Sequence, residues 1–271
     1  MTPTQSTLPS FATVLLARAG RLLTITLNRP DVLNAVNEQM HSDLEEVLAF
    51  AAADAGSDVL VLTGAGRAFS AGGDLTYLAE TAKHPERFDI DVRRAKRIVY
   101  TVLELEKPLI CKLNGHAVGL GATLALLCDV VFAAEHAKIG DPHVSVGLVA
   151  GDGGAFIWPQ RIGYALAKEY LLTGELVPAA KAAQIGLINH CLPAAELDAA
   201  VDRFCQRLLN GSTNAIRWTK VTINLELKRI AHAVMDAGIA YEAVTIRSAD
   251  HQEAVEALQN KRAPVFKKAS D

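Results

Sequence analysis

The sequence lacks the cysteine patterns that mark disulfide scaffolds and redox sites. Its 271 residues include four cysteines, and no two of them have Cys-x-x-Cys spacing. Because no secretory signal precedes them, we predict reduced, buried, structural thiols. The four positions are Cys111, Cys128, Cys191 and Cys205.

Long apolar runs and a strong charge imbalance are also missing. The longest apolar stretch, Ala117 to Cys128, is interrupted by glycines and is too short to span a bilayer. Residues 1–12 lack the basic and apolar regions of a signal peptide, so we expect a disordered arm. The formal net charge of −3 gives no general affinity for nucleic acid or anionic membranes. We therefore expect a soluble cytoplasmic protein without membrane or nucleic-acid partners.

Phosphate-binding loops are absent as well. The chain has no Gly-Lys-Ser/Thr sequence and no clean Gly-x-Gly-x-x-Gly match. It also has no low-complexity segment and no obvious repeat. Half of its residues are apolar, which is enough to bury a large core. Its length suits one large domain, or one domain with a small appendage.

The order of elements predicts an α/β fold with repeated ββα units and parallel sheets. Val14–Leu16 and Leu22–Leu27 have the pattern of a hairpin, and Asn37 has that of a helix N-cap. Residues 196–271 are predicted to form a helical region after an α/β core at 13–195. The remaining predicted strands are Asp58–Leu62, Leu109–Leu113, Val130–Ala133 and Lys138–Ile139, and the later predicted helices are Pro85–Glu106, Leu192–Leu209, Thr213–Leu227, Ile230–Arg247 and Asp250–Gln259.

Two glycine-bearing turns are the most informative features of the chain. Arg67–Asp74 and Asn114–Gly121 each follow a strand-like run. Such turns can aim backbone N–H groups at one point, where they stabilise an oxygen that becomes negative during reaction. This favours chemistry on a carbonyl compound, with the oxyanion held by main chain rather than by a metal. The alternative interpretation is ordinary loop structure, because glycine is common in turns.

A third segment, residues 140–154, combines five glycines with ionisable side chains. His143 can act as a general base, or it can be a surface or hydrogen-bonded core histidine. Asp152 can transfer a proton, orient His143, or cap a helix at Gly153–Arg161. Glu242 lies in an apolar helical run, where facing solvent is the simplest expectation because burying a charge is costly.

These pieces, in this order, resemble the crotonase family, also called the enoyl-CoA hydratase/isomerase superfamily. The likeness runs from about residue 13 to residue 268. The matching segments are Leu27–Pro30, Leu33–Val36, Leu62–Gly64, Ala68–Asp74, Asn114–Asp129, Leu171–Gly174, Ala182–Leu187 and Lys261–Phe266.

The resemblance implies a ββα superhelix whose C-terminal helices pack within a homotrimer, often a dimer of trimers. It implies an acyl-CoA substrate, with coenzyme A as part of the substrate and no separate cofactor or metal. By family position, Gly73 and Leu120 provide the N–H groups of the oxyanion hole. The implied contacts to substrate and CoA are Leu33, Ala35, Ala71, Gly72, Asp74, Leu75, Lys261 and Phe266.

The side chains at the implied centre depart from the hydratase pattern. Similar hydratases carry two glutamates where this chain has Thr123 and His143. Locally, the chain is similar to the 6-oxocamphor hydrolase branch of the family, whose catalytic histidine, aspartate and glutamate fall on His143, Asp152 and Glu242. The chain lacks that branch's further histidine, because Leu120 occupies the position.

These observations predict an enoyl-CoA hydratase/isomerase-type enzyme with a His/Asp dyad, which classes it as a lyase or isomerase. One alternative is a retro-Claisen C–C hydrolase that cleaves a β-diketone or β-ketoacyl-CoA. An alternative from another class is a non-enzymatic RNA-binding or scaffold relative. That role needs basic side chains along a surface helix, whereas the first predicted helix carries Glu38, Asp43, Glu45 and Glu46.

Overall fold

The computed structural model describes residues 7–266, except for the side chain of Asp89. Residues 7–12 contain no helix or strand, and Leu8 and Phe11 pack against the hydrophobic core. Residues 1–6 of the predicted disordered arm lie outside the described residues, as do residues 267–271.

Nine strands and nine α-helices alternate along residues 7–266. The strands are β1 (Val14–Ala19), β2 (Leu22–Leu27), β3 (Val59–Gly64), β4 (Leu109–Leu113), β5 (Ala117–Val118), β6 (Val130–Ala134), β7 (Lys138–Gly140), β8 (Val177–Pro178) and β9 (His190–Leu192). The helices are α1 (Glu38–Ala53), α2 (Leu75–Lys83), α3 (Phe88–Glu104), α4 (Leu120–Leu127), α5 (Gly154–Thr173), α6 (Ala179–Gln184), α7 (Leu197–Leu209), α8 (Thr213–Thr245) and α9 (Ala249–Gln259).

The strands form two sheets. The larger sheet has the order β1-β2-β3-β4-β6-β9, in which the β1–β2 hairpin is antiparallel and the later pairs are parallel. The smaller sheet has the order β5-β7-β8. This arrangement confirms the predicted α/β fold class with parallel sheets.

The central strand β3 is buried along its whole length because helices cover both faces of the larger sheet. Leu60 and Leu62 contribute to the main core, together with Met40 and Leu44 of α1. On the other face, residues Val59, Val61, Ile110, Leu197, Val201 and Cys205 form a smaller cluster under α7. Helix α1 begins as predicted, because the Asn37 side chain accepts a hydrogen bond of 3.0 Å from the Met40 N–H.

Several predictions of helices were wrong. The helix predicted from Leu192 begins only at Leu197, because Leu192 ends β9 and a 3₁₀ turn over Ala194–Glu196 follows. Helix α2 was not predicted, although Asp74 caps it by accepting hydrogen bonds from the N–H groups of Thr76 and Tyr77. The long helix predicted from Pro85 begins only at Phe88, after a 3₁₀ turn over Pro85–Arg87. The two helices predicted on either side of Ile230 are one helix of 33 residues, α8.

The helices after β9 extend the fold rather than forming a separate core. Helix α8 packs on α3 and α5, and α9 packs on α2. Among the described residues, no helix is both long enough and apolar enough to cross a membrane. Of the cysteines, all four are free, and Cys191 is only half-buried while the other three are buried as predicted.

Candidate active site

The two glycine-bearing turns are joined by main-chain hydrogen bonds. The His116 carbonyl accepts from the N–H groups of Phe69 and Ser70, at 3.1 and 3.0 Å. The Val118 N–H donates to the Ser70 carbonyl at 2.9 Å. The turns therefore lie side by side at the ends of β3 and β4.

The first turn depends on a glycine with left-handed backbone. Gly72 has φ +84°, and a Cβ at this position would lie 3.0 Å from the Val118 carbonyl oxygen. The Gly72 carbonyl accepts a 2.7 Å hydrogen bond from the Val36 N–H, and the Asp74 N–H donates to the Val36 carbonyl at 3.0 Å. These bonds fix the peptides on both sides of Gly73 and leave the Gly73 N–H without a partner among the described residues.

The second turn leads directly into α4. Gly119 is the N-cap residue, has φ +53°, and supplies no side-chain cap. Leu120 is the first residue of the helix, so its N–H has no intrahelical acceptor. It has no other acceptor among the described residues. Two unpartnered N–H groups, from Gly73 and Leu120, thus border the same space.

That space is a cavity of about 300 Å³, near the lower end for ligand sites. Its walls are mostly apolar, with polar groups at a few positions. The sequence-predicted site residues that line it are Ala71, Gly72, Gly73, Leu75, Leu120, His143, Asp152 and Glu242.

His143 is the centre of a cluster of carboxyl groups. Its Nδ1 pairs with Oδ1 of Asp141, whose side chain is completely buried. Its Nε2 lies 3.6 Å from Oδ2 of Asp152 and 4.0 Å from Oε1 of Glu242. Asp141 and His143 come from the segment after β7, Asp152 from the turn before α5, and Glu242 from α8.

The environment shifts the pKa values of the cluster strongly. Burial lowers the pKa of His143, but the charges of Asp141 and Asp152 and the hydrogen bond that Nδ1–H donates to Asp141 outweigh it and hold the pKa well above 6.5. Burial raises the pKa of Asp152 to about 6, although the charge of His143 opposes the shift. Burial, followed by the charge of Asp152, raises the pKa of Glu242 well above 4.5. These shifts favour a protonated imidazole and a protonated Glu242 carboxyl, whereas Asp152, with a pKa of about 6, is mostly ionised at pH 7.

Close backbone contact brings Glu242 into the cluster. A Cβ at Gly151 would lie 2.4 Å from the Gly238 carbonyl oxygen and 2.8 Å from Oε2 of Glu242. Only glycine at position 151 allows the loop to approach α8 this closely. Glu242 is consequently buried, at 5% exposure, and the expectation that it faces solvent was wrong.

Capping of α5, one of the alternatives left open for Asp152, does not occur at the N-cap position. Helix α5 begins at Gly154 with Gly153 as its N-cap residue and no side-chain cap bond. One carboxyl oxygen of Asp152 faces His143, and the other, Oδ1, is buried without a hydrogen-bond partner in the described part of the chain.

Several residues predicted to contact substrate or CoA do not line the cavity. The Leu33 carbonyl accepts from the Ala71 N–H at 2.9 Å, and the Ala35 carbonyl accepts from the Arg29 guanidinium at 2.5 Å. Asp74, besides capping α2, forms a 2.9 Å ion pair with Arg29. The hydrogen bonds and the ion pair of these three residues stabilise the first turn on the side away from the cavity.

The two C-terminal residues predicted to contact CoA lie past the end of α9. Lys261 is exposed and has φ +54°, and Phe266 is 40% exposed. Neither residue lines the cavity.

Comparison with known proteins places these features in a family. The family model described as enoyl-CoA hydratase/isomerase matches residues 18–269. The chain belongs to the enoyl-CoA hydratase/isomerase family. Its structure is correspondingly similar to that of an enoyl-CoA hydratase/isomerase from Mycobacterium paratuberculosis, with 38% identity, a TM-score of 0.86, and coverage of 92% of this chain and 99% of that one. The resemblance to the crotonase family and its fold is thereby confirmed.

Two curated relatives in Escherichia coli belong to the same family. The chain is 33% identical to 2,3-dehydroadipyl-CoA hydratase, over 94% of this chain and 98% of the relative. It is 34% identical to 1,2-epoxyphenylacetyl-CoA isomerase, over 90% of this chain and 94% of the relative. These family members thus include both a hydratase and an isomerase.

Similar hydratases carry a glutamate at the position of Thr123. In this family member, the Thr123 side chain does not supply a polar group to the cavity in its place. Thr123 is completely buried, and its hydroxyl oxygen has no hydrogen-bond partner among the described residues. It does not line the cavity. The carboxyl groups at the cavity come instead from Asp152 and Glu242, which lie later in the chain.

The cluster also has the spacing of a metal site. Asp141, His143 and Asp152 each offer a ligand atom, and these atoms lie within 4.8 Å of one another. A protonated imidazole donates from both nitrogens and has no lone pair for a metal. Because Asp141 and Asp152 face the two nitrogens of His143, the geometry favours ion pairs over metal ligation.

Several polar residues at or beside the cavity of this family member were given no role by the sequence predictions. Asp141 was recognised as part of the loop but received no role, although it lies only two residues before His143. His41, Tyr77 and Asp91 also line the cavity, and all three were missed. They lie on amphipathic helices, where nothing in the local sequence separates them from solvent-facing residues.

Proposed function

We propose that the protein acts on the acyl group of a CoA thioester through an enolate. The enolate oxygen accepts hydrogen bonds from the N–H groups of Gly73 and Leu120. The observation that carries this proposal is that both unpartnered N–H groups line the same cavity as His143, Asp152 and Glu242. Each donor of this kind contributes roughly 2.7–4 kcal/mol to lowering a reaction barrier.

Asp152 is the proposed base. Its pKa of about 6 lies close to neutral pH, which suits a general base. His143 carries a proton that stabilises the Asp152 carboxylate, and Asp141 holds the imidazole in place. The chain thus pairs a histidine with an aspartate in place of the two glutamates of similar hydratases.

Glu242 is the proposed acid, since burial raises its pKa well above 4.5 and favours the protonated carboxyl. In hydration, Asp152 takes a proton from water, the water oxygen bonds to the β-carbon, and electrons move to the thioester oxygen. Glu242 then gives its proton to the α-carbon as the enolate collapses. In isomerisation, Asp152 removes a proton from one carbon and returns it to another, so the mass is unchanged.

Two observations support a CoA thioester as substrate. The E. coli relatives named above are a CoA-thioester hydratase and a CoA-thioester isomerase by their descriptions. The cavity beside the two turns has mostly apolar walls, which suit an acyl chain. We further propose that the turns and the C-terminal residues Lys261 and Phe266 contact the CoA portion.

Product mass tests this proposal directly. The protein is incubated with 2-enoyl-CoA and 3-enoyl-CoA thioesters, and we expect either a gain of one water or a shifted double bond at constant mass. Asp152→Asn should reduce turnover by about a hundredfold or more, typical of losing a general base. Asp198→Asn is the matched control, because Asp198 is exposed and pairs with Lys112 away from the cavity. Full activity of Asp152→Asn would remove the proposed base.

A second candidate is hydrolytic cleavage of a C–C bond in a β-diketone or β-ketoacyl-CoA. It is favoured by the 3.6 Å approach of His143 Nε2 to Asp152, an arrangement that can activate water for attack on a ketone. The same N–H groups would then hold the enolate that leaves when the C–C bond breaks. Scission products from a β-ketoacyl-CoA, with no turnover of enoyl-CoA, would favour this candidate.

We also propose that the protein assembles as a homotrimer or a dimer of trimers. Large apolar side chains on α8 are exposed in the single chain, and burying them would be favourable. The most exposed are Trp218, Ile223, Leu225, Tyr241 and Val244.

A further inference from the structure

A second cluster of polar side chains lines the cavity, and its residues lie far from His143 in the sequence. It is formed by His41 of α1, Tyr77 of α2 and Asp91 of α3. The Tyr77 hydroxyl donates a 2.5 Å hydrogen bond to Oδ2 of Asp91. The His41 and Tyr77 rings lie 6.3 Å apart, so the three side chains form one polar patch.

The patch has unused hydrogen-bonding capacity. Asp91 is buried, at 6% exposure, yet its Oδ1 has no hydrogen-bond partner in the described part of the chain. Nδ1 of His41 is likewise buried without a partner. Buried polar atoms are rarely left unpaired, because each one costs about 1–3 kcal/mol. Both residues line the cavity, so a ligand bound there can supply the missing partner.

The surrounding walls make this patch selective. Leu78, Phe88, Val92, Leu148 and Ile246 line the same cavity, so the patch is a polar point in an apolar acyl site. An unsubstituted acyl chain would leave Oδ1 of Asp91 unpaired when it displaces water. A chain with one hydrogen-bond donor at the right carbon would satisfy it.

The charged side chains near Asp91 limit which kind of hydrogen-bond donor suits this site. The carboxylate of Asp91 lies close enough to Glu242 to disfavour a charge there, and the Asp152 carboxylate faces the same cavity. A second carboxylate on the acyl group would therefore meet negative charge. Arg94 and Arg87 lie close enough to Asp91 to interact electrostatically, which balances part of its charge and reduces the attraction for a cation. A neutral donor fits best.

We propose that the acyl group of the substrate carries a hydroxyl group that donates a hydrogen bond to Oδ1 of Asp91. This inference rests on the proposed function for the CoA thioester. It adds that the enzyme selects a hydroxylated acyl group over a plain or a carboxylated one. The role of Asp91 is recognition, separate from the proton transfers proposed for Asp152 and Glu242.

Binding of unreactive ligands tests the inference without any need for turnover. Saturated seven-carbon acyl-CoA thioesters are titrated calorimetrically, with a hydroxyl group on either of the two carbons before the terminal methyl. The comparison ligands are the oxo analogues, which accept but cannot donate, unsubstituted heptanoyl-CoA, and the thioester with a terminal carboxylate. We expect one hydroxylated ligand to bind about tenfold or more tightly than its oxo analogue and than heptanoyl-CoA. The carboxylated ligand should bind most weakly.

Two variants separate recognition from structural support. In Asp91→Asn, the amide oxygen can accept from Tyr77 while the amide NH₂ faces the cavity, so the preference should reverse in favour of the oxo ligand. In Tyr77→Phe, Oδ1 of Asp91 remains open, so the preference for the hydroxyl ligand should persist. A merely structural role of the Tyr77–Asp91 bond would change all affinities together and leave their ratios as in the parent.

The outcomes distinguish the inference from the proposed function. Equal binding of hydroxyl, oxo and plain ligands, together with turnover of enoyl-CoA, overturns the inference and leaves the function standing. A reversed preference in Asp91→Asn without turnover of any enoyl-CoA supports the inference and contradicts the function. Failure of every acyl-CoA to bind contradicts both.

Discussion

The carboxyl group of Asp141 holds the imidazole of His143 through its Nδ1, from only two residues earlier in the chain. Asp141 is itself completely buried, so its charge acts on the imidazole with little screening by solvent. The pair occupies one side of the ring and leaves Nε2 directed at Asp152 and Glu242. The protonation state of the cluster therefore depends on Asp141.

Replacing Asp141 by asparagine should lower the pKa of His143. Burial lowers the pKa of His143, and the charge of Asp141 is the largest effect that opposes burial, so its loss lowers the pKa. Nitrogen NMR of the imidazole measures this directly. A neutral His143 in the parent protein at pH 7 would contradict the assignment.

Glu242→Gln should stabilise the protein increasingly as the pH rises. Burial, followed by the charge of Asp152, raises the folded-state pKa of Glu242 above its ordinary value of 4.5. The folded protein then binds a proton that the unfolded chain releases, so stability falls as the pH rises through and beyond 4.5. The glutamine variant lacks this loss. We expect its melting temperature to exceed that of the parent by a few degrees at neutral pH, at roughly 2–4 °C per kcal/mol.

A matched acid far from the cavity serves as the control for this experiment. Glu226→Gln changes an exposed carboxylate that pairs with Arg229 on the same helix. It should shift the melting temperature little at any pH. A gap between the Glu242→Gln variant and the parent that stays constant from acidic to neutral pH would show that Glu242 titrates normally.

Gly72→Ala should reduce turnover far more than it reduces stability. Alanine is strained at φ +84°, and its Cβ would press on the Val118 carbonyl oxygen and shift the adjoining Gly73 N–H. Gly20→Ala is the control, because Gly20 has φ +59° in the β1–β2 turn with nothing within 4 Å of the added Cβ. Both variants should lose about 1 kcal/mol of stability from backbone strain. Only Gly72→Ala should lose about a hundredfold in kcat, and equal kcat values would argue against the Gly73 donor.

Trp218→Glu and Ile223→Glu should disrupt the assembly. These side chains are 61% and 64% exposed on α8, and a charge there would be buried in any interface that covers them. Light scattering should give three or six times the chain mass for the parent and a smaller mass for both variants. Leu15→Glu, which alters a 50% exposed leucine on β1, should leave the mass unchanged. A monomeric parent protein would contradict the proposed trimer.

Helix α1 and the β1–β2 hairpin were predicted correctly because strong local signals in the sequence mark them. Asn37 caps α1, and the hairpin of β1 and β2 forms where aliphatic residues alternate around Gly20. The division of α8 was predicted wrongly because a weak local pattern near Ile230 does not break a helix that packs on α3 and α5.

The candidate site was only partly predictable, because some of its contacts join residues that are far apart in the sequence. Both glycine turns are marked by local sequence, and the structure places them side by side. The burial of Glu242 depends on the contact of Gly151 with Gly238, which are 87 positions apart in the printed sequence. Asp91 acquires a role only because α2 and α3 meet at the cavity. No local pattern encodes either relationship.

The most direct test of the central claim is exchange of the α-proton of a saturated acyl-CoA in D₂O, followed by mass spectrometry. If the Gly73 and Leu120 N–H groups hold the enolate while Asp152 removes the α-proton, as in the proposed isomerisation, the parent protein incorporates deuterium at the α-carbon. The exchange rate should fall as the pH drops through about 6, where Asp152 becomes protonated, and should fall about a hundredfold or more in Asp152→Asn. Exchange that is equally fast in the parent and in Asp152→Asn, or absent from the parent at neutral pH, would contradict the account.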